Sequence, residues 1–154
     1  MVDLPEGWAL SEMALRLGVA AVLGCVLGLD REVRGKSAGM RTHMLIALGA
    51  ATTAVVTMEI YDALHVDFPD TRADPLRMIE GVMTGVGFLG AGAIIRSGGS
   101  VHGMTSAANI WICGAIGLAC GAGFYQLALV AFGFAVLVLT GLWFVEKLLH
   151  RSIE

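Results

Sequence analysis

The sequence predicts an all-α integral membrane protein, a glycine-rich, tightly packed bundle of five transmembrane helices with the N-terminus outside. Apolar residues make up 56% of the 154 positions, charged residues only 15%, and glycine occurs 21 times. Soluble domains carry about 25% charged residues, so this chain lacks the polar groups that would cover a water-exposed surface. The length fits one domain, and we take 1–154 as a single transmembrane domain.

Five apolar segments are candidates for crossing a bilayer, which takes about 20 residues each. The predicted helices cover about residues 8–29, 42–60, 75–95, 105–120 and 124–148. The first is the least clear, because only Leu17–Leu29 is free of charge. It becomes long enough if it begins near Trp8, with Glu12 and Arg16 one turn apart and Arg16 snorkelling outward.

The remaining helices follow from uncharged runs and their boundaries. The second is the run Thr42–Met58, and the third begins at Asp74-Pro75, an N-cap carboxylate before a proline suited to the first helical position. From Ser97 to Val145 there is no Asp, Glu, Lys or Arg, which leaves room for two more helices. We expect the break between them at Gly121–Gly123, where glycines permit a tight turn.

Basic residues predict that the N-terminus is outside and the C-terminus in the cytoplasm, because cytoplasmic loops carry the excess of Lys and Arg. The first loop, the third loop and the C-terminus share this excess: Arg31, Arg34, Lys36, Arg41, Arg96, Lys147 and Arg151. The other side holds only Arg72 and Arg77, diluted by Asp62, Asp67, Asp70 and Asp74.

Glycine spacing predicts close helix packing, since small residues let helix backbones approach each other in a membrane. The glycines concerned are Gly24, Gly28, Gly81, Gly85, Gly87, Gly90, Gly92, Gly117 and Gly121. The run from Gly85 to Gly90 also matches the dinucleotide fingerprint GxGxxG, but it lies inside a predicted span, and Ile110 stands where an acid would be needed. An alternative is that these glycines unwind the helix and expose carbonyl groups to a cavity.

Several polar residues are candidates for an ion path or another function: Asp30, Arg41, Glu80, Thr105, Ser106 and Asn109. Asp30 is either a structural clamp that could also pair with Arg41, or a cation ligand or proton carrier. Glu80 either pairs with Arg77 at the membrane interface or has a function of its own. Asn109 either hydrogen-bonds across helices or helps Thr105 and Ser106 coordinate a hard cation.

Other functional classes find little support. The net charge of −3 offers no basic field for nucleic acid. No spacing places a nucleophile beside a base, so we expect no enzyme. His43 and His102 show no HxxxH or HExxH spacing, and Cys25, Cys113 and Cys120 fit packing roles. We expect no cofactor, with a hard cation as the one metal to consider and Asp30 and Asn109 as its candidate ligands.

A weak internal symmetry joins two hairpins. Leu23-Gly24 with Gly39–Thr42 resembles Leu89-Gly90 with Gly103–Ser106, each pair joining a helix end, a basic loop and a new apolar helix. We hypothesise a parallel hairpin repeat, with the fifth helix added.

Four blocks of the sequence together resemble the MgtC/SapB family, in its order and spacing. They are Gly28–Gly35, Ala38–His43, Gly85–Gly92 and Gly103–Trp111. The family commonly has Glu where Asp30 stands, which keeps the carboxylate, whereas an uncharged polar residue is expected in the place of Glu80. MgtC itself carries a soluble C-terminal domain, so we expect this chain, ending at Glu154, to be a short form without it.

The resemblance implies a multi-pass bacterial inner-membrane protein tied to growth in low magnesium and to stress or virulence adaptation. It leaves two functions open. One is a non-enzymatic regulator that contacts other membrane proteins, among them the ATP synthase by family resemblance. The other is a cation transporter or channel for Mg²⁺. The glycine faces further favour a homo-oligomer, most simply a dimer.

Overall fold

The computed structural model describes residues 8–67, 74–97 and 100–151. The elements are α1 (Leu10–Val33), α2 (Met40–Asp67), α3 (Leu76–Gly92), β1 (Ile95–Ser97), β2 (Ser100–His102), α4 (Met104–Gly121) and α5 (Tyr125–Arg151). The all-helical prediction is confirmed apart from the short two-stranded ribbon. Among the residues used for orientation, Asp70 and Arg72 fall outside the described ranges, as do the side chains of Asp67, Arg96, Lys147 and Arg151.

Three helices are long and apolar enough to cross a membrane: Leu10–Val33, Met40–Leu64 and Met104–Gly121. A shorter apolar stretch covers Tyr125–Gly141. These lengths identify a membrane protein. The sequence predicts five spanning helices, and helix length and composition support three of them, so the number five stays a prediction.

The predicted third helix was too long, because the chain leaves the helix before residue 95. β1 and β2 pair antiparallel, with Arg96 opposite Val101. Gly98 and Gly99 separate the two strands in the sequence, and a glycine pair between two short strands is a hairpin signal. After the ribbon, Gly103 starts α4 with φ +88°, and a Cβ there would lie 2.1 Å from the Ala93 carbonyl oxygen. Only glycine therefore lets the start of α4 lie so close to the end of α3.

The fourth helix is the centre of the bundle. In its apolar span 56% of the residues are buried, against 28% in α1 and 33% in α2. The core around it combines small residues of α1, α2 and α5 with larger ones of α1 and α4: Ala20, Leu23, Leu27, Ala47, Ala51, Cys113, Ile116, Cys120 and Ala128. Close packing on several sides of α4 fixes the depth and rotation of the polar residues near its N-terminus.

Glycines of α1 and α4 bring both helices against the backbone of α2. A Cβ at Gly24 would lie 2.7 Å from the His43 carbonyl oxygen, and one at Gly28 would lie 2.6 Å from the Cα of Met40. On α4, a Cβ at Gly117 would lie 2.5 Å from the Ala47 carbonyl oxygen. A Cβ at Gly121 would likewise clash with the backbone of α2, at the Ala51 carbonyl oxygen. Any side chain at these positions would force the helices apart.

The glycines of α3 behave differently. A Cβ at Gly90 would lie 3.4 Å from the Ala107 carbonyl oxygen of α4, whereas at Gly81, Gly85, Gly87 and Gly92 it would meet nothing within 4 Å. The packing predicted for these four glycines thus finds no partner within the described chain. They leave much of α3 as a surface of small residues.

Arg16 does not snorkel outward, contrary to prediction. It lies one turn from Glu12, as predicted, and forms an ion pair with it, but Arg16 is only 9% exposed. Its Nη1 donates a hydrogen bond of 2.8 Å to the Gly121 carbonyl oxygen, and its guanidinium carbon lies 3.6 Å from the centre of the Trp8 ring. The last carbonyl groups of a helix lack partners and favour a cation, so the C-terminal end of α4 draws Arg16 inward.

Candidate functional site

A layer of buried polar side chains lies where the end of α1, the start of α2 and the first turns of α4 meet. Its members are Arg31, 6% exposed, His43, 0%, Ser106, 1%, and Asn109, 3%. Buried polar groups in a membrane protein are costly unless they are hydrogen-bonded, so the partners of each decide what the layer does.

His43 and Asn109 join the three helices. The His43 ring lies with Nδ1 3.0 Å from the Gly39 carbonyl oxygen and Nε2 3.0 Å from the Asn109 side-chain nitrogen. A neutral ring with its proton on Nδ1 satisfies both contacts, donating to Gly39 and accepting from Asn109. Asn109 also donates to the Leu27 carbonyl oxygen at 3.3 Å. Its own Oδ1 is buried without a hydrogen-bond partner among the described residues.

Arg31 connects α1 to α4 beside this network. Its Nη2 donates a hydrogen bond of 2.9 Å to the Ser106 hydroxyl, and its Nη1 lies 3.9 Å from Asp30 Oδ2. Asp30 in turn accepts a hydrogen bond of 2.6 Å from the Nε of Arg34. The ion pairs of Asp30 in the described chain are therefore with its own helix, and the predicted pairing with Arg41 is absent there.

A partly enclosed cavity of about 910 Å³ opens next to Arg31. The α1–α2 turn, the ribbon, the start of α4 and the middle of α5 form its walls. Its lining residues are Arg31, Arg34, Gly35, Lys36, Ser37, Ala93, Val101, His102, Gly103, Met104, Thr105, Ser106, Val138 and Leu139. Basic and hydroxyl side chains thus face one space at this end of the bundle.

The predicted site residues do not all come together. Asp30 and Ser106 both lie next to Arg31, and Thr105 lines the cavity at the start of α4. Asn109 belongs to the His43 network, one turn deeper. Glu80 is exposed near the start of α3, and the described side chains form no ion pair between it and Arg77. An exposed pair of this kind stabilises little, so nothing holds the two together.

Sequence reasoning missed two residues of the layer, Arg31 and His43. A signal was available for His43, which lies near the start of an uncharged run, because an ionisable residue inside an apolar run is a functional candidate by default. Arg31 lies between two acidic residues and gave no such signal. His43 was set aside because it lacked metal-ligand spacing, and Arg31 because it counted only as a loop charge. Within the described ranges no group of three or more His, Cys, Asp or Glu side chains could hold a metal ion. The Mg²⁺ ligands expected at Asp30 and Asn109 stay a prediction.

Comparison with known proteins identifies one family. Residues 17–148 match the family model described as the MgtC family. The chain is 40% identical to YhiD of Escherichia coli K12, named "Putative magnesium transporter YhiD", over 84% of this chain and 60% of YhiD. It is 37% identical to SapB of Bacillus subtilis over 89% of this chain and 60% of SapB. It is 36% identical to MgtC of Brucella abortus over 84% of this chain and 50% of that MgtC.

The chain thus spans about 50 to 60% of the length of these three relatives. No solved structure matches it.

Proposed function

Because this chain belongs to the MgtC family, we propose that it is a bacterial inner-membrane protein of magnesium homeostasis that acts as a non-enzymatic regulator. Its action would consist of contacts between its helices and those of a second membrane protein, which is another copy of this chain or a larger complex such as the ATP synthase. Stress or virulence adaptation would follow from the partner that it controls.

The outward surface of α3 is the observation that carries this proposal. Gly81, Gly85 and Gly92 are exposed, and nothing lies within 4 Å of a Cβ built on any of them. Phe88 shares this face and is 79% exposed. The opposite face packs on α4 through Val86 and Gly90. Small residues beside a large one suit the docking of another membrane helix, because lipid chains fill such a groove poorly.

The proposed topology has five spans, with the N-terminus outside and the C-terminus inside. The α1–α2 turn and the ribbon line one cavity, so the two connections lie at the same end of the bundle. Arg31, Arg34 and Lys36 gather at this end, which favours its cytoplasmic location. Helix α3 has 17 residues, about 25 Å of length, which is close to the thickness of about 30 Å of a hydrocarbon core.

The alternative function is a Mg²⁺ transporter, which the name of the relative YhiD and the polar residues of α4 favour. The arrangement of charges opposes it. The guanidinium of Arg31 already donates a hydrogen bond to the Ser106 hydroxyl, and Arg34 donates one to Asp30. A cation that approached these oxygens would meet the repulsion of both arginines. The regulator is therefore the better-supported function.

One experiment separates the two functions. The purified chain is reconstituted into sealed liposomes that contain a magnesium-sensitive dye, and uptake is compared between the wild type and Asp30→Asn. We expect no uptake above that of empty liposomes from either protein. Uptake by the wild type that disappears in Asp30→Asn would overturn the regulator and identify a transporter.

A second experiment tests the α3 surface directly. Gly85→Leu and Gly81→Leu should reduce self-association in phosphatidylcholine vesicles, measured by energy transfer between labelled copies at several protein-to-lipid ratios. Gly49→Leu is the matched control, because Gly49 on α2 also has nothing within 4 Å. If all three variants associate as the wild type does and also retain the same co-purifying proteins, the α3 surface is not the contact.

A further inference from the structure

The cavity of about 910 Å³ at the α1–α2 turn has several basic side chains in its wall. Arg31, Arg34 and Lys36 contribute the charged side chains of its wall, and the described lining residues include no Asp or Glu. Asp30, which precedes Arg31, forms its 2.6 Å hydrogen bond with Arg34 and lines a neighbouring groove. The described part of the cavity wall therefore carries three cationic side chains and no carboxylate.

Arg31 makes this imbalance costly. Its side chain is 7% exposed, its hydrogen-bond partner is the neutral hydroxyl of Ser106, and the nearest carboxylate oxygen lies 3.9 Å away. Its Nε has no hydrogen-bond partner in the described part of the chain. Buried charges in proteins are paired, because an unpaired one loses its hydration without compensation. The one described ion pair of Arg31 is the 3.9 Å contact with Asp30, which Arg34 also engages, so an anion in the cavity would supply a closer counter-charge.

The start of α4 adds a second, independent attraction for an anion. Gly103, Met104, Thr105 and Ser106 line the cavity, and no side chain caps this helix end. The first N–H groups of a helix lack partners and carry partial positive charge, which is why phosphate groups bind there. The Thr105 and Ser106 hydroxyls lie in the same turn and can donate hydrogen bonds.

We infer that this cavity binds the phosphate group of an anionic ligand, which is either a free phosphate anion or the headgroup of an anionic phospholipid. A guanidinium on one side and a helix N-terminus on the other match a group with several charged oxygens. Basic pockets between transmembrane helices on the cytoplasmic side are typical sites for lipid headgroups.

An adjoining groove favours the lipid as the source. It has a volume of about 400 Å³, lies between α1 and α5, and shares Arg34 and Leu139 with the basic cavity. Its other walls are mainly apolar, from Val26, Leu27, Leu29, Val33 and Val136, with Asp30 and Thr140 as the polar members. A phospholipid could place its headgroup at Arg31 and an acyl chain in this groove. A free phosphate anion would use the basic cavity alone.

The test uses the full chain in nanodiscs and two probes. In phosphatidylcholine nanodiscs, sodium phosphate is titrated against sodium chloride of equal ionic strength, and the Tm of the protein is recorded. In nanodiscs of phosphatidylcholine with phosphatidylglycerol, without phosphate in the buffer, native mass spectrometry counts the phosphatidylglycerol retained. We expect the wild type to bind at least one probe, and Lys36→Glu to bind it about tenfold more weakly.

Arg41→Glu is the matched control, because Arg41 is exposed at the same end of the bundle but does not line the cavity. Arg31→Lys keeps the buried charge while removing the planar fork, so it should weaken binding several-fold with little change in the Tm of the ligand-free protein. A phosphate-dependent Tm identifies a free anion, and retained phosphatidylglycerol identifies a headgroup. If neither probe binds the wild type, or Lys36→Glu and Arg41→Glu bind equally, the inference is overturned.

Discussion

The two buried arginines of α1 lie at opposite ends of the bundle in opposite circumstances. Arg16 contacts the Gly121 carbonyl oxygen, the Glu12 carboxylate and the Trp8 ring. Arg31 reaches one neutral hydroxyl, and its nearest carboxylate oxygen lies 3.9 Å away beside a large cavity. Both leave their Nε without a hydrogen-bond partner in the described chain, so the difference lies at the terminal nitrogens.

The difference distinguishes an arginine whose charge stabilises the fold from one whose charge is available to bind a ligand. Burial alone does not mark a functional residue, since Arg16 and Arg31 are almost equally buried, at 9% and 6% exposure. The number and charge of the partners distinguish them. An arginine whose donors are taken up by the chain stabilises the fold, whereas one whose nearest counter-charge is distant and that lies beside open space can receive a ligand.

The largest expected effect is at Arg16. Arg16→Met removes the hydrogen bond to the Gly121 carbonyl, the cation at the end of α4 and the contact with the Trp8 ring, so the free energy of unfolding should fall by about 3 kcal/mol. Reversible unfolding in mixed detergent and lipid micelles measures it. The matched control, Arg31→Met, should cost much less. If both variants lose the same free energy of unfolding, the two arginines do not differ in their contribution to stability.

A smaller effect is expected at Asn109, which we expect to hold the Arg31 end together instead of the arginine. Asn109→Ala removes the donor to both His43 and Leu27 and should lower the free energy of unfolding by about 2 kcal/mol. Thr105→Ala, one turn earlier and exposed, should change it by less than about 0.5 kcal/mol. The same unfolding assay measures both variants. A Thr105 variant as unstable as the Asn109 variant would contradict this assignment.

The Arg31–Ser106 contact should be worth still less. A double-mutant cycle with Arg31→Met and Ser106→Ala should give a coupling energy of about 1 kcal/mol in ligand-free phosphatidylcholine nanodiscs, as for one hydrogen bond to a neutral hydroxyl. A parallel cycle with Arg16→Met and Glu12→Gln should give a larger value. If the Arg31 cycle gives more than the Arg16 cycle, Arg31 is as structural as Arg16.

The smallest effect is at Lys36, and its sign is opposite. Lys36→Gln removes one of several like charges around the cavity, so without an anion the free energy of unfolding should rise by a few tenths of a kcal/mol. The gain should vanish in high salt, which already screens the repulsion. Thermal unfolding at low and high sodium chloride measures both. If Lys36→Gln lowers the free energy of unfolding at low salt, the positive charges of the cavity wall are already neutralised by other groups.

What the sequence could predict was local. Uncharged runs indicated the helices, and the spacing of Gly24 with Gly28 and of Gly117 with Gly121 indicated faces that the structure packs against α2. The placement of Glu12 and Arg16 one turn apart was confirmed, and the two form an ion pair. Each of these depends on residues within a turn or two, which periodicity captures.

The contacts that sequence reasoning missed join distant segments. Arg31 and Ser106 are 75 positions apart, and Asn109 and His43 are 66 apart. No spacing rule links such residues, because the rotation of α1 and α2 around α4 decides which side chains meet. The outward glycines of α3 show the converse. Their spacing matches that of Gly24 and Gly28, yet what lies against them is not determined within one chain.

The hydrogen bond from Arg16 to Gly121 spans 105 residues, and this separation bears on how the protein is made. At synthesis rates of about 5 to 20 residues per second, Gly121 leaves the ribosome roughly 5 to 20 s after Arg16. During that interval α1 must be held in the membrane with its arginine contacting only the Glu12 carboxylate and the Trp8 ring. The helix made first is thus fixed in place by the helix made fourth, and an unfinished chain lacks the one hydrogen bond that joins the two.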